Sequence, residues 1–155
     1  MKIKVRRIKK NIEFPTIISK GEWIDLRTAE KAIINKGNFG LIPLNVCMQL
    51  PKGYEAIVTC RSSTPKSFGI MCANSFGIID NSYSGNNDEW KFPAVAFRDT
   101  EIHVNDRICQ FRIQPSQKAT VWQKIKWLLS SGVKIVEVDS LSNKDREGIG
   151  STGVE

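Results

Sequence analysis

The 155-residue chain is long enough for one domain with a hydrophobic core, and 41% hydrophobic with 25% charged residues is ordinary for a soluble globular protein. No apolar run approaches the roughly 18 residues that span a bilayer, and no apolar core follows the N-terminal charges. We therefore expect no membrane anchor, no signal peptide and a cytoplasmic location. The net charge of +7 is concentrated in residues 1–10, which hold six Lys and Arg residues and no acid, so nucleic acid is not an expected partner.

The first predicted element is a strand near the N-terminus. Ile3, Val5 and Ile8 lie among the basic residues, a pattern typical of a strand with one solvated face. We interpret it as a charged sheet edge that discourages pairing between molecules, in preference to a surface that binds phosphates.

Short apolar runs then alternate with turn residues along most of the chain. This spacing predicts an all-β fold, a single-domain β-sandwich or jelly-roll-like barrel. The four cysteines lie in separate apolar segments without close pairs, so we expect buried free thiols in a reducing compartment, without a zinc site or disulfides. The turn residues are Pro43, Pro51-Lys52-Gly53, Asn74-Ser75, Gly85-Asn86-Asn87 and Asn105-Asp106.

One segment has helical periodicity. Apolar residues within 119–131 recur at helical spacing, with Lys124 and Lys126 on the other face, which predicts a short amphipathic helix that ends near Gly132. Residues 133–138 alternate as a late strand. We assign residues 1–139 to the β domain and residues 140–155 to a flexible arm that carries a glycine-rich end.

Residues 74–85 form the most informative stretch. An apolar pair precedes the carboxylate of Asp80, and the ring of Tyr83 follows three residues later. The pattern indicates two strands and a turn that can hold a base edge against main-chain groups. A purely structural hairpin could carry the same residues, so the interpretation depends on the rest of the chain.

Four other segments accompany this hairpin in order, and together the five resemble the motifs of the homotrimeric dUTPases. The resemblance runs from about residue 20 to the C-terminus and implies Mg²⁺-assisted hydrolysis of dUTP to dUMP and pyrophosphate, which limits uracil in DNA and supplies dUMP for thymidylate synthesis. It also implies a homotrimer with active sites shared between chains. The four segments are Trp23-Ile24-Asp25-Leu26-Arg27, Arg61-Ser62-Ser63, Asp106-Arg107-Ile108-Cys109-Gln110 and Gly148-Ile149-Gly150-Ser151-Thr152-Gly153.

The resemblance assigns a role to each matching residue of the hairpin. Asp80 is the expected general base, which orients the attacking water and meets the sugar 3′-hydroxyl. Tyr83 packs under the deoxyribose and leaves no room for a 2′-hydroxyl. Asn74, Gly77 and Ile78 supply the contacts to the uracil edge. As structural alternatives, Asp80 caps a tight turn and Tyr83 is a core residue.

The other motifs carry the phosphates and the metal. Ser62 is the best candidate to stabilise the leaving pyrophosphate, and Arg61 either binds phosphate or braces loops through a carboxylate. No direct protein ligand to Mg²⁺ is expected, since the ion takes waters and substrate phosphates, and Asp25 and Gln110 are placed in its outer shell. The expected phosphate-binding set is Arg61, Ser62, Ser63, Gln110, Arg146, Ser151 and Thr152.

The chain departs from the family pattern in three places. Ile149 stands where a phenylalanine usually stacks on uracil, so Trp90, Phe92 and Ile149 are the candidates for a lid. Asn105 replaces a glycine at a turn, and Asn tolerates left-handed backbone angles. The helix within 119–131 is an insertion whose two tryptophans either pack on the trimer or bind a protein partner.

Two alternatives to a dUTPase stay open. A related dCTP deaminase needs a glutamate on the strand after the hairpin, where residues 94–97 read Ala-Val-Ala-Phe, so deamination is disfavoured. The other alternative is a non-catalytic regulatory module of the same fold. The presence of Asp80, Tyr83 and Gln110 argues against this module, because binding alone does not require all three.

Overall fold

The computed structural model describes residues 1–17, 21–146 and 148. Within these ranges the regular structure is mostly β-strand, as the turn spacing predicts, with two short helices between strands. The elements are β1 (Lys2–Arg7), β2 (Ile24–Arg27), β3 (Ala32–Ile34), β4 (Phe39–Pro43), β5 (Val46–Gln49), β6 (Tyr54–Cys60), α1 (Thr64–Phe68), β7 (Ile70–Cys72), β8 (Gly77–Ile79), β9 (Lys91–Ala96), β10 (Thr100–Ile102), β11 (Arg107–Pro115), α2 (Val121–Leu128) and β12 (Lys134–Glu137).

The strands form small sheets around one core. The largest has the order β2-β11-β6-β8, and the others have the orders β4-β9-β7, β12-β1-β5 and β10-β3. Inward-facing residues of these strands make a single buried cluster. At its centre the edge of the Trp90 ring meets Phe111, with centroids 5.2 Å apart and planes at 79°. The predicted jelly-roll-like β fold is confirmed.

The N-terminal strand β1 is an inner strand, so the prediction of a charged sheet edge is wrong. It pairs in parallel with β12 on one side and antiparallel with β5 on the other. Ile3 and Val5 are completely buried, while the basic residues point outward. Alternation identifies the buried face of a strand but does not say how many strands pair with it, so the sequence alone does not distinguish an edge strand from an inner one.

Glu137 joins β12 to β1 by ion pairs and offers a test of that pairing. Arg7 Nε lies 2.9 Å and Lys10 Nζ 2.7 Å from its carboxylate. Hydrogen bonds from Arg7 and Lys10 lower the pKa of Glu137 from 4.5 to about 2. A depressed pKa in the folded state stabilises the protein above pH 4.5, and this contribution is lost as the pH falls toward 2.

We expect Glu137→Gln to reduce the free energy of unfolding at pH 7 by less than about 1 kcal/mol, because the carboxylate is partly exposed. Urea denaturation at several pH values measures the difference from wild type, which should shrink below pH 4.5 and vanish near pH 2. Glu22→Gln, at an exposed position, is the control. A difference that is constant with pH would contradict the ion-pair assignment.

The predicted helix is confirmed, with narrower bounds, as α2. Thr120 caps it through a capping box with Gln123, and it ends four residues before Gly132. Two contacts attach α2 to Tyr54 at the start of β6. The Trp127 ring packs with its centroid 5.8 Å from that of Tyr54, and the Tyr54 hydroxyl donates a hydrogen bond of 2.8 Å to the Gln123 carbonyl. Among the described residues, no helix is long and apolar enough to cross a bilayer.

The apolar stripe of α2 faces solvent in the single chain. No residue of α2 is buried, and the sequence pattern alone does not reveal this. The exposed fractions are highest at the two leucines that end the helix, about four-fifths of each side chain surface. The stripe consists of Val121, Trp122, Ile125, Leu128 and Leu129.

Candidate active site

The predicted hairpin of two strands within residues 74–85 is wrong: this segment contains one strand, β8, which pairs with β6, and an irregular loop follows it. The carboxylate of Asp80 lies just past the end of β8 and is held in place by the turn that follows. Its Oδ1 accepts hydrogen bonds from the backbone N–H of Ser82 at 2.8 Å and from the Ser82 hydroxyl. The Asn81 side chain donates to the Leu50 carbonyl at 2.6 Å and fixes the turn to the neighbouring loop. Asp80 therefore caps the turn while half of its side chain stays exposed.

The environment of Asp80 keeps it ionised. Partial burial raises its pKa, but hydrogen bonds from Ser82 and the Arg146 guanidinium outweigh burial, so the pKa lies below its ordinary value. Arg146 Nη1 is 2.5 Å from Asp80 Oδ2. Near neutral pH the group is a carboxylate that can accept a proton or a hydrogen bond from water.

Asp80 and Arg146 line an open cavity of about 570 Å³, which we call the Asp80 cavity. Its opposite wall comes from the segment that leads into α2, including Lys118, Thr120 and Gln123. Sequence reasoning treated that insertion as separate from the chemistry. No sequence pattern reveals this proximity, because it depends on how the loop before α2 folds back.

A second pocket, of about 130 Å³, lies beside β8 and brings together three residues predicted to contact the base. Asn74, Gly77 and Ile78 all line it. Its walls are otherwise largely apolar, and its size suits one small planar ring. We call it the ring pocket; its other lining residues are Val58, Cys72, Ile79, Lys91, Phe92 and Pro93. Lys91 is a polar group at this pocket that the motifs do not predict.

Tyr83 lies in the loop that follows β8, and its side chain is fixed there. Its hydroxyl donates to the Glu89 carbonyl at 2.9 Å, so both ends of the side chain are constrained. Burial, together with the nearby Asp88, raises the pKa of Tyr83 to about 12, and the phenol remains a neutral donor. Gly148 approaches the phenol closely: a Cβ at this glycine would lie 3.3 Å from its oxygen.

The candidate lid residues Trp90 and Phe92 do not form a lid. Both are completely buried, Trp90 against Phe111 and Phe92 as a wall of the ring pocket. Alternation in β9 turns Phe92, Ala94 and Ala96 toward the core, which explains the correction. The remaining candidate, Ile149, lies outside the described residues, as do the predicted phosphate ligands Ser151 and Thr152.

The buried Trp90 is a core position where a smaller aromatic residue should cost little stability. Its indole N–H is buried without a hydrogen-bond partner among the described residues. We expect Trp90→Phe to change the free energy of unfolding by no more than about 1 kcal/mol, because relief of the unpaired N–H offsets the cavity. Urea denaturation measures this, with Phe92→Leu as the control that leaves a cavity and relieves nothing. A loss above about 2 kcal/mol would contradict the offset.

The phosphate motif follows β6. Ser62 and Ser63 are exposed, and Ser63 precedes α1 without capping it through its side chain. Behind them the Thr64 hydroxyl donates to the Ile108 carbonyl at 2.7 Å and anchors the segment. Two serine hydroxyls are thus presented on a fixed backbone.

Asp25 is at the centre of an ion-pair network behind the serines. Arg61 Nε lies 2.9 Å from its Oδ1 and Arg107 Nη1 lies 3.2 Å from its Oδ2. Only 6% of Asp25 is exposed, so the two arginines compensate a nearly buried charge. In the single chain Arg61 therefore braces loops through the Asp25 carboxylate, which is one of its two predicted roles.

Gln110 and the turn before β11 complete this region. Gln110 Nε2 donates to the Cys60 carbonyl at 3.3 Å, which leaves its Oε1 available as an acceptor. Asp106 accepts from the His103 N–H at 2.8 Å and fastens the turn. Asn105 has φ +73°, so the predicted left-handed conformation at this position is confirmed.

The two groups of residues lie at opposite ends of β6. Ile79, next to Asp80, pairs with Ala56 near the start of β6, whereas Arg61 and Ser62 follow its last residue. The five residue-to-residue steps from Ala56 to Arg61 span about 17 Å at the rise of a β-strand. One chain therefore does not bring Asp80 and Ser62 to the same phosphate group.

The described part of the arm packs against the loop between β8 and β9 of the same chain. Asp145 accepts from the Asn87 N–H at 2.9 Å, and the Arg146 N–H donates to Asp88 at 3.0 Å. Asp88, only 2% exposed, also accepts from the Gly85 N–H at 2.7 Å. Asp88 thus joins the loop after β8 to the arm, a role that the sequence motifs do not predict because they assign no function to this acid.

Comparison with known proteins identifies relatives along the whole chain. The family model for dUTPase matches residues 15–153. The chain is 48% identical over 155 residues to the SPbeta prophage-derived deoxyuridine 5′-triphosphate nucleotidohydrolase YosS of Bacillus subtilis (strain 168), covering 100% of both chains. It is 31% identical to the deoxyuridine 5′-triphosphate nucleotidohydrolase of Helicobacter pylori (strain J99 / ATCC 700824), covering 99% of this chain and 98% of that protein.

Solved structures share the fold at lower identity. The dUTPase from Streptococcus mutans has a TM-score of 0.65 and 22% identity, covering 76% of this chain and 98% of the other. A mutant dUTPase from phage phi11 of S. aureus, whose structure shows the coordination of a structural Mg(II) ion, has a TM-score of 0.66 and 17% identity, covering 77% and 94%.

Proposed function

Because the chain belongs to the dUTPase family, we propose that it hydrolyses dUTP to dUMP and pyrophosphate by attack of a water molecule on the α-phosphorus. In the cell this reaction limits uracil in DNA and supplies dUMP for thymidylate synthesis. The observation that carries the proposal is the Asp80 carboxylate, held by Ser82 directly after Ile79, which lines a pocket that fits a single ring.

Asp80 acts as the general base. Its Oδ1 is occupied by Ser82, which keeps the carboxylate in one orientation, while Oδ2 contacts, among the described residues, only the exposed Arg146 guanidinium. When Arg146 turns to the substrate phosphates, Oδ2 becomes free to bind water and accept its proton. The exchange replaces one charge-assisted contact with another, so its cost is small.

The ring pocket binds uracil, and Tyr83 selects the sugar. Main-chain groups of Gly77 and Ile78, with the side chain of Asn74, offer hydrogen bonds to the base edge inside an otherwise apolar enclosure. Such recognition discriminates strongly, since a wrong base leaves buried polar groups unpaired. The constrained Tyr83 ring excludes a 2′-hydroxyl by its shape.

The exposed hydroxyls of Ser62 and Ser63 receive the polyphosphate. Mg²⁺, when bound, neutralises charge on the phosphates and orients them for in-line attack. Among the described residues no group of three His, Cys, Asp or Glu could hold a metal directly. Oε1 of Gln110, which accepts no hydrogen bond within the described ranges, would lie in the outer shell of the ion, and Asp25, already paired with two arginines, would support that region from behind.

The active site is shared between subunits of a homotrimer. The separation of about 17 Å between the two ends of β6 supports this, because a reacting α-phosphate needs Asp80 and Ser62 together. An apolar sheet face gives a second reason. Phe39, Val95 and Met71 lie in register across β4, β9 and β7 and point outward, and more than half of Phe39 is exposed. A face of this kind favours burial against another copy.

Two other functions are weighed against this one. A dCTP deaminase would need a carboxylate on β9, where residues 94–96 are Ala-Val-Ala. A regulatory module that binds a protein through α2 has the exposed apolar stripe in its favour, but it needs neither an ionised Asp80 nor the ring pocket. Hydrolysis of dUTP accounts for both the Asp80 carboxylate and the ring pocket.

A substrate panel tests the proposal directly. The protein is incubated with Mg²⁺ and, separately, dUTP, dTTP, dCTP and UTP, while pyrophosphate and the nucleobase products are measured. Pyrophosphate release from dUTP alone is expected. Ammonia from dCTP would indicate a deaminase, and no turnover of any nucleotide would indicate a binding module.

A further inference from the structure

The side chain of Cys72, at the end of β7, contacts one of the residues that recognise the base. Its Sγ lies 3.0 Å from Oδ1 of Asn74, within hydrogen-bond range for sulfur. Both residues line the ring pocket, and only 5% of Cys72 is exposed. The proposed mechanism assigns no role to this thiol.

The contact gives the Asn74 amide a direction. A protonated thiol donates a hydrogen bond, and the amide oxygen can only accept one. Burial raises the pKa of the Cys72 thiol above its ordinary value, so it stays protonated near neutral pH. With Oδ1 held by the thiol, Nδ2 is the group left for a ligand, and it donates to no other residue in the described ranges.

The backbone of this turn does not depend on the thiol. The Ala73 N–H donates to the Pro93 carbonyl at 2.9 Å, and the Ser75 N–H to the Cys72 carbonyl at 3.1 Å. Loss of the Sγ–H therefore leaves the main chain of the turn in place and releases only the rotation of the Asn74 amide.

The direction of the amide matters for the choice between bases. Uracil carries an oxygen at ring position 4, which accepts a hydrogen bond, whereas cytosine carries an amino group, which donates. An outward Nδ2 suits uracil and opposes cytosine; a flipped amide does the reverse. The cost of leaving such groups unpaired in a pocket gives the selectivity.

We propose that Cys72 is a positioning residue for base selectivity, whose thiol orients the Asn74 amide so that the pocket accepts uracil and rejects cytosine. The inference rests on the proposed function, because it needs a pyrimidine nucleotide in the ring pocket. It predicts a specificity determinant in β7, outside the five motifs.

Two variants separate the donor from the volume of the side chain. Cys72→Val is close in size and removes the donor, whereas Cys72→Ser keeps a donor. The measured quantity is the ratio between the inhibition constant of dCTP and the KM of dUTP. We expect Cys72→Val to lower this ratio about tenfold through both constants, with kcat little changed, and Cys72→Ser to keep it near wild type.

Three further variants control for the fit of valine, for loss of a buried thiol in general and for an effect that bypasses Asn74. Cys72→Ala is a second variant without the donor, in case valine does not fit. Cys47→Ala removes another buried thiol, one that contacts the Asn86 carbonyl, and should leave the ratio unchanged. In an Asn74→Ala background, Cys72→Val should have no further effect on the ratio, since the thiol acts through that amide.

An unchanged ratio in both Cys72→Val and Cys72→Ala would overturn the inference. An equal loss in the Asn74→Ala background would also overturn it, because the thiol would then act by another route. Failure of the proposed function appears differently: the wild-type protein itself would release no pyrophosphate from dUTP.

Discussion

Asp80→Asn is expected to lower the turnover of dUTP by roughly 10² to 10⁴, the usual contribution of a general base. Asparagine keeps an oxygen that can accept from the Ser82 N–H, so the turn after β8 should hold its shape. It loses the negative charge that accepts a proton from water. Pyrophosphate release measures turnover, and binding of a non-hydrolysable dUTP analogue by calorimetry measures affinity, which should stay within about tenfold of wild type.

The control for this substitution is Asp139→Asn. Asp139 is fully exposed and its carboxylate lies 3.8 Å from Lys10 Nζ; neither residue lines the Asp80 cavity or the ring pocket. This variant should have wild-type turnover, which separates the effect of one lost charge from the effect of its position. Full activity of Asp80→Asn would refute the assignment of the base.

Mixing two inactive variants is expected to restore activity if the site is shared. Chains with Asp80→Asn keep the phosphate motif, and chains with Ser62→Ala keep the base. In a cyclic trimer that contains both kinds of chain, about a third of the sites receive both intact groups from adjacent chains. Co-expression with two different tags, purification through both and pyrophosphate release measure the recovery.

The matching negative control mixes Asp80→Asn chains with chains that carry both substitutions. No site in such a mixture has an intact base, so no activity should return. If the first mixture also stayed inactive while both chains purified together as a trimer, Asp80 and Ser62 would have to come from a single chain. The separation along β6 would then need a large rearrangement.

Much of the site could be predicted because its parts are local in sequence. The residues from Asn74 to Tyr83 are close together in the chain, so their spacing alone brings the Asp80 carboxylate, the Tyr83 ring and part of the ring pocket near one another. The all-β fold follows from turn residues at short intervals, and the capping box of α2 is readable as Thr120 followed by Gln123.

The remainder depends on contacts between distant segments. Alternation in β1 was correctly read as a strand, but its parallel partner β12 lies more than a hundred residues later, and nothing local indicates it. Trp90 resembles a surface aromatic in a polar stretch, yet it becomes a core residue when β9 docks. The exposed apolar stripe of α2 has the same spacing as a buried one. Helical spacing of apolar residues shows which face of the helix is apolar but does not show whether another element packs on that face.

The pairing of β1 with β12 also has a consequence for synthesis of the protein. β1 can pair on one side with β5 early in synthesis, but its other partner, β12, is translated more than a hundred residues later. A nascent chain must therefore keep half of the backbone of β1 unpaired until β12 has left the ribosome. Closure of the sheet over this sequence separation is an entropically costly step, and it should make folding slow compared with helical proteins of the same size.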